Sequence, residues 1–208
     1  MKEKILVYDC SFFGQKLGNY CRKELEEVQV EMVVDVFKPQ EMSDREICRH
    51  VAEKLAPYVG AKRAILIVNP LVVSVVVGEL EKIFPEQIFV YYGGCLDGKI
   101  CSSDRVAILA LERVRRTQRY QAQKAACQGV EISELDCGKW LDLIDRGWMG
   151  RDELLSEFRH RLGVKVLVYH QALLLREKKI EEVMDWRGEM IDVKKGVLLE
   201  CGRRIKGN

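Results

Sequence analysis

Short apolar runs alternate with amphipathic stretches along almost the whole chain. The apolar runs predict strands, and the stretches with apolar residues every three or four positions predict helices. The predicted strands are KILVYD, VQVEMVVDV, AILIV, QIFVYY, DRVAILA, VEISEL, GVKVLVYH and GEMIDV. Helices are expected at Gln15–Glu27, from Ser43 onward, after Asn69, at Arg113–Ala126, Lys139–Arg146, Asp152–Arg161 and Ala172–Met184. This alternation predicts an α/β fold of right-handed βαβ units with mainly parallel sheets.

Two helix starts have specific signals. SDRE, from Ser43 to Glu46, has the form of a capping box. The stretch after AILIV is rich in valine, which favours a strand. However, Asn69 is a good N-cap and Pro70 suits the first helical position, so we predict a helix through LVVSVVVGELEKIFP.

The best domain boundary is the segment YYGGCLDGKICSSD, Tyr91–Asp104, because it is rich in Gly, Ser and Asp and the strand–helix pattern restarts after it. We therefore predict two similar α/β lobes, each a mainly parallel sheet flanked by helices, with a crevice between them. The first lobe is expected to be 1–97, with 187–208 returning to it, and the second 98–186.

Composition adds limits on the environment and partners. The chain has 208 residues, 48% of them hydrophobic and 32% charged, and a net charge of +2, so its surface as a whole is not built to hold nucleic acid or an acidic membrane. Its eight cysteines include no C-x-x-C pair, and the charged N-terminus has no signal-peptide core. We therefore expect reduced thiols in a cytoplasmic protein. No run approaches the roughly 20 apolar residues that span a bilayer.

Several stretches, in order, resemble the aspartate/glutamate racemase superfamily, and together they cover nearly the whole chain. YDCSFFG is similar to the turn after the family's first strand, and RAILIVNPLVVSVVVGELEKIFP aligns without gaps to the strand and helix that carry the first catalytic cysteine. The other similar stretches are DVFKPQEMSDREI, DRVAILALERVRRTQRY, ELDCGKWLDLIDRG, VLVYHQALLLREKKIEEVM and MIDV. The resemblance implies the two-lobe fold and chemistry without a cofactor.

The family's catalytic residues are not retained in this alignment. Members of the family remove and return a proton with two cysteines from opposite lobes. Asn69 stands at the first of these positions and His170 at the second. Asn cannot act as a base at neutral pH, and Pro70 removes a backbone N–H that could have held a carboxylate. Asp9 is the site residue that survives clearly.

The candidate site residues are chosen because they lie at or near the carboxyl ends of predicted strands. Asp9, Asn69 and His170 each follow a predicted parallel strand, and carboxyl ends of parallel strands open onto one side of a sheet, so we expect them to converge. His170 and Cys10 are the candidate catalytic residues; a hydrogen-bonded histidine without chemistry and a small residue in a tight turn are the alternatives. The candidate ligand-binding residues are Asp9, Ser11, Asn69 and Gln171. No metal site is expected, because His50 and His160 lie on separate predicted helices.

Three functions remain open. The first is a racemase-like protein that binds a small molecule, such as a small carboxylate, or a protein partner without racemising an amino acid. The second is a diverged isomerase or lyase that acts on a small carboxylate with His170, either alone or together with Cys10. The third is binding of nucleic acid or an acidic partner through the helix with Arg113, Arg115, Arg116 and Arg119, although a solvated helix face is the usual explanation of such a cluster. A homodimer is compatible with all three.

Overall fold

The chain forms two compact α/β units in a computed structural model, which describes residues 3–11, 13–25, 27–60, 63–92, 105–138, 165–168, 190–191 and 193–206. The first unit consists of Met1–Cys95 and Lys194–Asn208, and the second of Leu96–Val193. No helix in the described ranges is both long enough and apolar enough to cross a bilayer.

The first unit contains four strands and most of the described helices. Its strands are β1 (Lys4–Asp9), β2 (Gln29–Val34), β3 (Arg63–Ile67) and β4 (Ile88–Tyr91). Its helices are α1 (Phe13–Glu24), α2 (Asp44–Leu55), α3 (Pro70–Val76) and α4 (Glu79–Ile83), with short 3-10 helices at Pro39–Glu41 and Ala56–Tyr58. The second unit contains β5 (Arg105–Ala110), α5 (Glu112–Arg115), α6 (Gln118–Ala126), β6 (Glu131–Asp136), β7 (Lys165–Val168) and β8 (Met190–Ile191). The last helix, α7 (Val193–Lys206), belongs to the first unit from Lys194 onward.

Both sheets are parallel throughout their described strands. The strand order is β2-β1-β3-β4 in the first unit and β6-β5-β7-β8 in the second. Helices lie between β1 and β2, β2 and β3, β3 and β4, and β5 and β6 within the described residues, so the predicted α/β class with parallel sheets flanked by helices is confirmed.

The core of the first unit explains why its strands read as continuous apolar runs. Residues of β1 and β3 are buried on both faces of the sheet. One face packs against α2 and α3, through a cluster that includes Leu6, Tyr8, Ile47, Val51 and Ile65. Ile47, Val51 and Leu55 recur at four-residue spacing on α2, so that this helix buries a single stripe.

The predicted helix starts are confirmed in detail. Ser43 caps α2: its hydroxyl accepts a hydrogen bond from the Glu46 backbone, and the Glu46 side chain accepts one from the Ser43 backbone. Asn69 caps α3, with Pro70 at its first position. The helix through LVVSVVVGELEKIFP is divided in two, because Gly78 takes a positive φ of 81° that ends the first helix and begins α4.

The single helix expected at Arg113–Ala126 is wrong. The segment forms α5 and α6, separated at Thr117. The Thr117 hydroxyl donates to the Val114 carbonyl (2.7 Å) and accepts from the Tyr120 backbone (3.4 Å), so it offers the backbone local bonds that interrupt a helix. The predicted helices Lys139–Arg146, Asp152–Arg161 and Ala172–Met184 lie outside the described residues.

Candidate functional site

The first sheet has a topological switch point between β1 and β3. The chain passes from β1 to β2 on one side and then returns to β3 on the other side of β1. In parallel α/β sheets, ligands bind at such points, outside the carboxyl ends of the strands. Asp9 ends β1, Cys10 and Ser11 follow it, and Asn69 lies two residues beyond β3. Four predicted site residues thus lie at one switch point of the first unit.

Asn69 uses only part of its amide to cap α3. Its Oδ1 accepts hydrogen bonds from the backbone N–H groups of Leu71 (3.0 Å) and Val72 (3.2 Å), and the residue is 9% exposed. Because Oδ1 is the acceptor, the Nδ2 group is the remaining end of the amide. No hydrogen bond from Nδ2 occurs within the described part of the chain. Asn69 therefore has a donor open to a ligand oxygen, but no basic group.

Asp9 and Ser11 shape the turn after β1. Asp9 is 1% exposed, and its Oδ2 accepts a hydrogen bond from the Ser11 hydroxyl (2.9 Å). The N-terminal turn of α1 packs directly on this side chain at Gly14, where an added Cβ would collide with the Cβ of Asp9. The buried carboxylate therefore helps to hold the loop in which Cys10 lies.

Cys10 is not prepared to act as a nucleophile. Its side chain is buried in the core cluster that also contains Tyr8. Burial raises the pKa of the Cys10 thiol far above its ordinary value, and the carboxylates of Asp9 and Asp35 raise it further. Since the thiolate is the reactive form, Cys10 remains a protonated thiol at neutral pH.

A hydrogen-bonded network next to this turn was missed by the sequence reasoning. Asp35 follows β2, and its backbone N–H donates to the Asp9 carbonyl (2.9 Å). The Asp35 Oδ2 accepts hydrogen bonds from the Tyr8 hydroxyl (2.9 Å) and from His50 Nε2 (2.7 Å), while Lys54 Nζ lies 3.7 Å from its Oδ1. Burial, together with the charge of Asp35, raises the pKa of Tyr8 above its ordinary range, so the phenol stays protonated. The sequence pattern placed Asp35 inside the predicted strand VQVEMVVDV, whereas β2 ends one residue earlier, at Val34.

In the second unit, β5 and β7 are neighbours and form the corresponding switch point. β7 ends at Val168, two residues before His170. His170 and Gln171 lie outside the described residues, so their predicted roles remain predictions. Among the described residues, no three His, Cys, Asp or Glu side chains gather as metal ligands.

The break at Thr117 also separates the arginines that the sequence placed on one helix. Arg113 and Arg115 lie on α5, and Arg119 lies on α6. Arg116, at the end of α5, forms an ion pair with Glu112. A continuous basic helix face is therefore not present in this segment.

The fold of the chain is similar to that of known proteins. No protein-family model and no curated protein sequence matches the chain. Solved structures that match it along nearly its full length include glutamate racemases, so the chain has the fold seen in the aspartate/glutamate racemase superfamily.

Three of these structures show the extent of the similarity. The glutamate racemase of Francisella tularensis, in complex with D-glutamate, matches with a TM-score of 0.80 at 15% identity over 100% of this chain and 82% of that chain. The Escherichia coli enzyme, in complex with L-glutamate and the activator UDP-MurNAc-ala, has a TM-score of 0.78 at 16% identity over 99% and 83%. A glutamate racemase isoform of Bacillus anthracis has a TM-score of 0.80 at 10% identity over 100% and 83%.

Proposed function

We propose that the protein binds a small carboxylate at the β1–β3 switch point of its first unit and does not racemise amino acids. The observation that carries this proposal is the state of Asn69, which aligns with the first catalytic cysteine of the racemases. Its Oδ1 caps α3 and its Nδ2 remains a hydrogen-bond donor. A donor at this position can hold a carboxylate oxygen, but it cannot remove a proton from carbon.

The chemistry of Cys10 supports the same proposal. A two-base racemase needs a group on each face of the substrate that can exist as a base. The thiol in the turn after β1, that of Cys10, is buried, and its pKa is raised. This argues against a catalytic role of Cys10 in the alternative function, an isomerase or lyase that uses Cys10 with His170.

Binding of nucleic acid or an acidic partner through the arginine segment has less support. That function requires several arginines on one exposed face. The segment is instead divided into two helices at Thr117, and Arg116 is paired with Glu112. A small anion at the first unit remains the proposal that the described residues favour.

The amide of Asn69 provides a direct test by substitution. Asn69→Ser and Asn69→Asp both keep a side-chain oxygen that can cap α3, so the free energy of unfolding should change by less than about 1 kcal/mol. Both remove the amide donor, and Asp adds a charge that repels a carboxylate. Thermal unfolding with L-glutamate, L-aspartate, malonate and succinate should therefore show stabilisation of the wild type and none of the variants.

The size of the expected stabilisation by a ligand follows from the linkage between binding and folding. A ligand at about 100 times its Kd adds about 2.7 kcal/mol, which raises Tm by several degrees in a chain of this size. Ser74→Ala, on the same helix, is the control, and it should respond to ligand as the wild type does. Equal ligand shifts in the wild type and Asn69→Asp would refute the site, and so would the absence of a shift with all four carboxylates.

A further inference from the structure

The tautomer of His50 is determined by its partner. Asp35 Oδ2 lies 2.7 Å from His50 Nε2, and a carboxylate can only accept. The proton of the neutral imidazole is therefore on Nε2, and the lone pair is on Nδ1. Within the described residues, Nδ1 has no hydrogen-bond partner, and the side chain of His50 is 30% exposed.

The carboxylate that orients His50 is itself held in place. Tyr8, which is fully buried, donates to the same Oδ2 at 2.9 Å, and the side chain of Asp35 is only 10% exposed. The Phe37 ring lies against the imidazole, with centroids 4.5 Å apart. His50 therefore has a fixed ring, a buried carboxylate at one nitrogen and a lone pair directed away from it at the other.

We propose that Asp35 and His50 form an acid–base dyad that takes a proton from an acidic O–H or N–H group of a small molecule, water included. In this step the proton moves to Nδ1, the electron pair of the broken bond stays on the donor atom, and the resulting imidazolium faces the Asp35 carboxylate. Positioned histidines with such a partner are the usual general bases of enzymes. His50 is thus a further candidate proton acceptor, in addition to His170 and Cys10, the two candidates predicted from the sequence.

The dyad lies at the edge of the sheet where the other candidate site residues of the first unit are found. Asp35 follows β2, the neighbour of β1, and its backbone is bonded to Asp9. The dyad therefore lies at the carboxyl edge of the same sheet as Asn69. Lys54, four residues after His50 and on the same face of α2, puts a positive charge beside Asp35 and favours anionic molecules there.

Two measurements on the free protein test the dyad. Nitrogen-15 NMR of the neutral imidazole should show His50 with the proton on Nε2 and a bare Nδ1. Diethyl pyrocarbonate should acylate His50 at Nδ1, with ethyl carbonate leaving and the Nε2 proton released through Asp35. Asp35→Asn removes the charge that stabilises the developing cation, so modification of His50, followed by peptide mass mapping, should slow about tenfold.

Ser43→Ala is the matched control. It removes the cap of α2 and loosens the helix that carries His50, but it touches neither member of the dyad. If the Asp35–His50 contact were purely structural, Asp35→Asn would have the opposite effect on the modification rate. Loss of the contact would expose His50 and speed its modification. An Asp35→Asn rate equal to or above that of the wild type overturns the proposal, and so does an Nδ1-protonated ring. Neither readout needs a ligand, so loss of carboxylate binding at Asn69 is a separate result.

Discussion

The free energy of unfolding should fall steeply as the pH rises above about 8.5, the ordinary pKa of a thiol in an unfolded chain. Burial raises the pKa of Cys21 and of Cys137 to about 12 in the folded protein, and it also raises the pKa of Cys10. The folded state therefore keeps protons that the unfolded state releases, and stability falls with pH. The stabilisation is complete below about pH 8.5 and is lost as the pH rises towards the folded values.

The free energy of unfolding is expected to depend steeply on pH in this range. Each such thiol lowers the free energy of unfolding by about 1.4 kcal/mol per pH unit, and a typical stability of about 5–15 kcal/mol is lost within a few units. Urea unfolding at a series of pH values from about 7 to about 10.5 measures this slope. Cys21→Ala should reduce it more than Cys48→Ala does, because Cys48 is only half-buried, although burial raises the pKa of its thiol too. A free energy of unfolding that stays constant between about pH 8 and 10 would contradict the prediction.

Gly14→Ala should destabilise the protein by about 1–3 kcal/mol. An alanine Cβ at this position would collide with the Cβ of Asp9, an atom that cannot rotate away because it is bonded directly to the backbone. Asp9 is buried, and its carboxylate is bonded to Ser11, so the turn after β1 must shift as a whole. Chemical denaturation measures the loss, which should appear in the unfolding of the first unit.

Gly60→Ala is the matched control for Gly14→Ala. A Cβ at Gly60 would meet no atom within 4 Å, so this substitution should change the free energy of unfolding by less than about 0.5 kcal/mol. Equal effects at the two glycines would show that the close contact with Asp9 is not what requires glycine after β1.

Much of the fold could be predicted because it depends on patterns within short stretches. The strand of AILIV is buried on both faces, and its five apolar residues show this directly. The helix after Asn69 could be predicted against the strand preference of its valines, because the cap and Pro70 set the first turn. The break at Thr117 could not be predicted from the sequence. There, the hydrogen bonds of a single hydroxyl to Val114 and Tyr120 outweigh a continuous helical pattern. Helix α7 was not predicted.

The candidate site was predictable only where it lies at strand ends. Asp9, Cys10, Ser11 and Asn69 follow strands that pair in the first sheet, so the rule for parallel sheets placed them together. The Asp35–His50 pair was missed, because its members come from a loop and a helix separated by 15 positions. Sequence cannot show which face of α2 meets that loop. It also cannot show that Cys10 is buried deeply enough to remain a thiol.

The most direct measurement of the central claim is α-proton exchange in deuterated water. Purified protein would be incubated with L-glutamate and with L-aspartate, and deuterium at the α-carbon would be followed by NMR. With Asn69 as a helix cap and Cys10 protonated, exchange should not exceed that of a sample without protein. Exchange above this background that Asn69→Ser or Cys10→Ser abolishes would contradict the claim that this racemase fold does not carry out the two-base reaction.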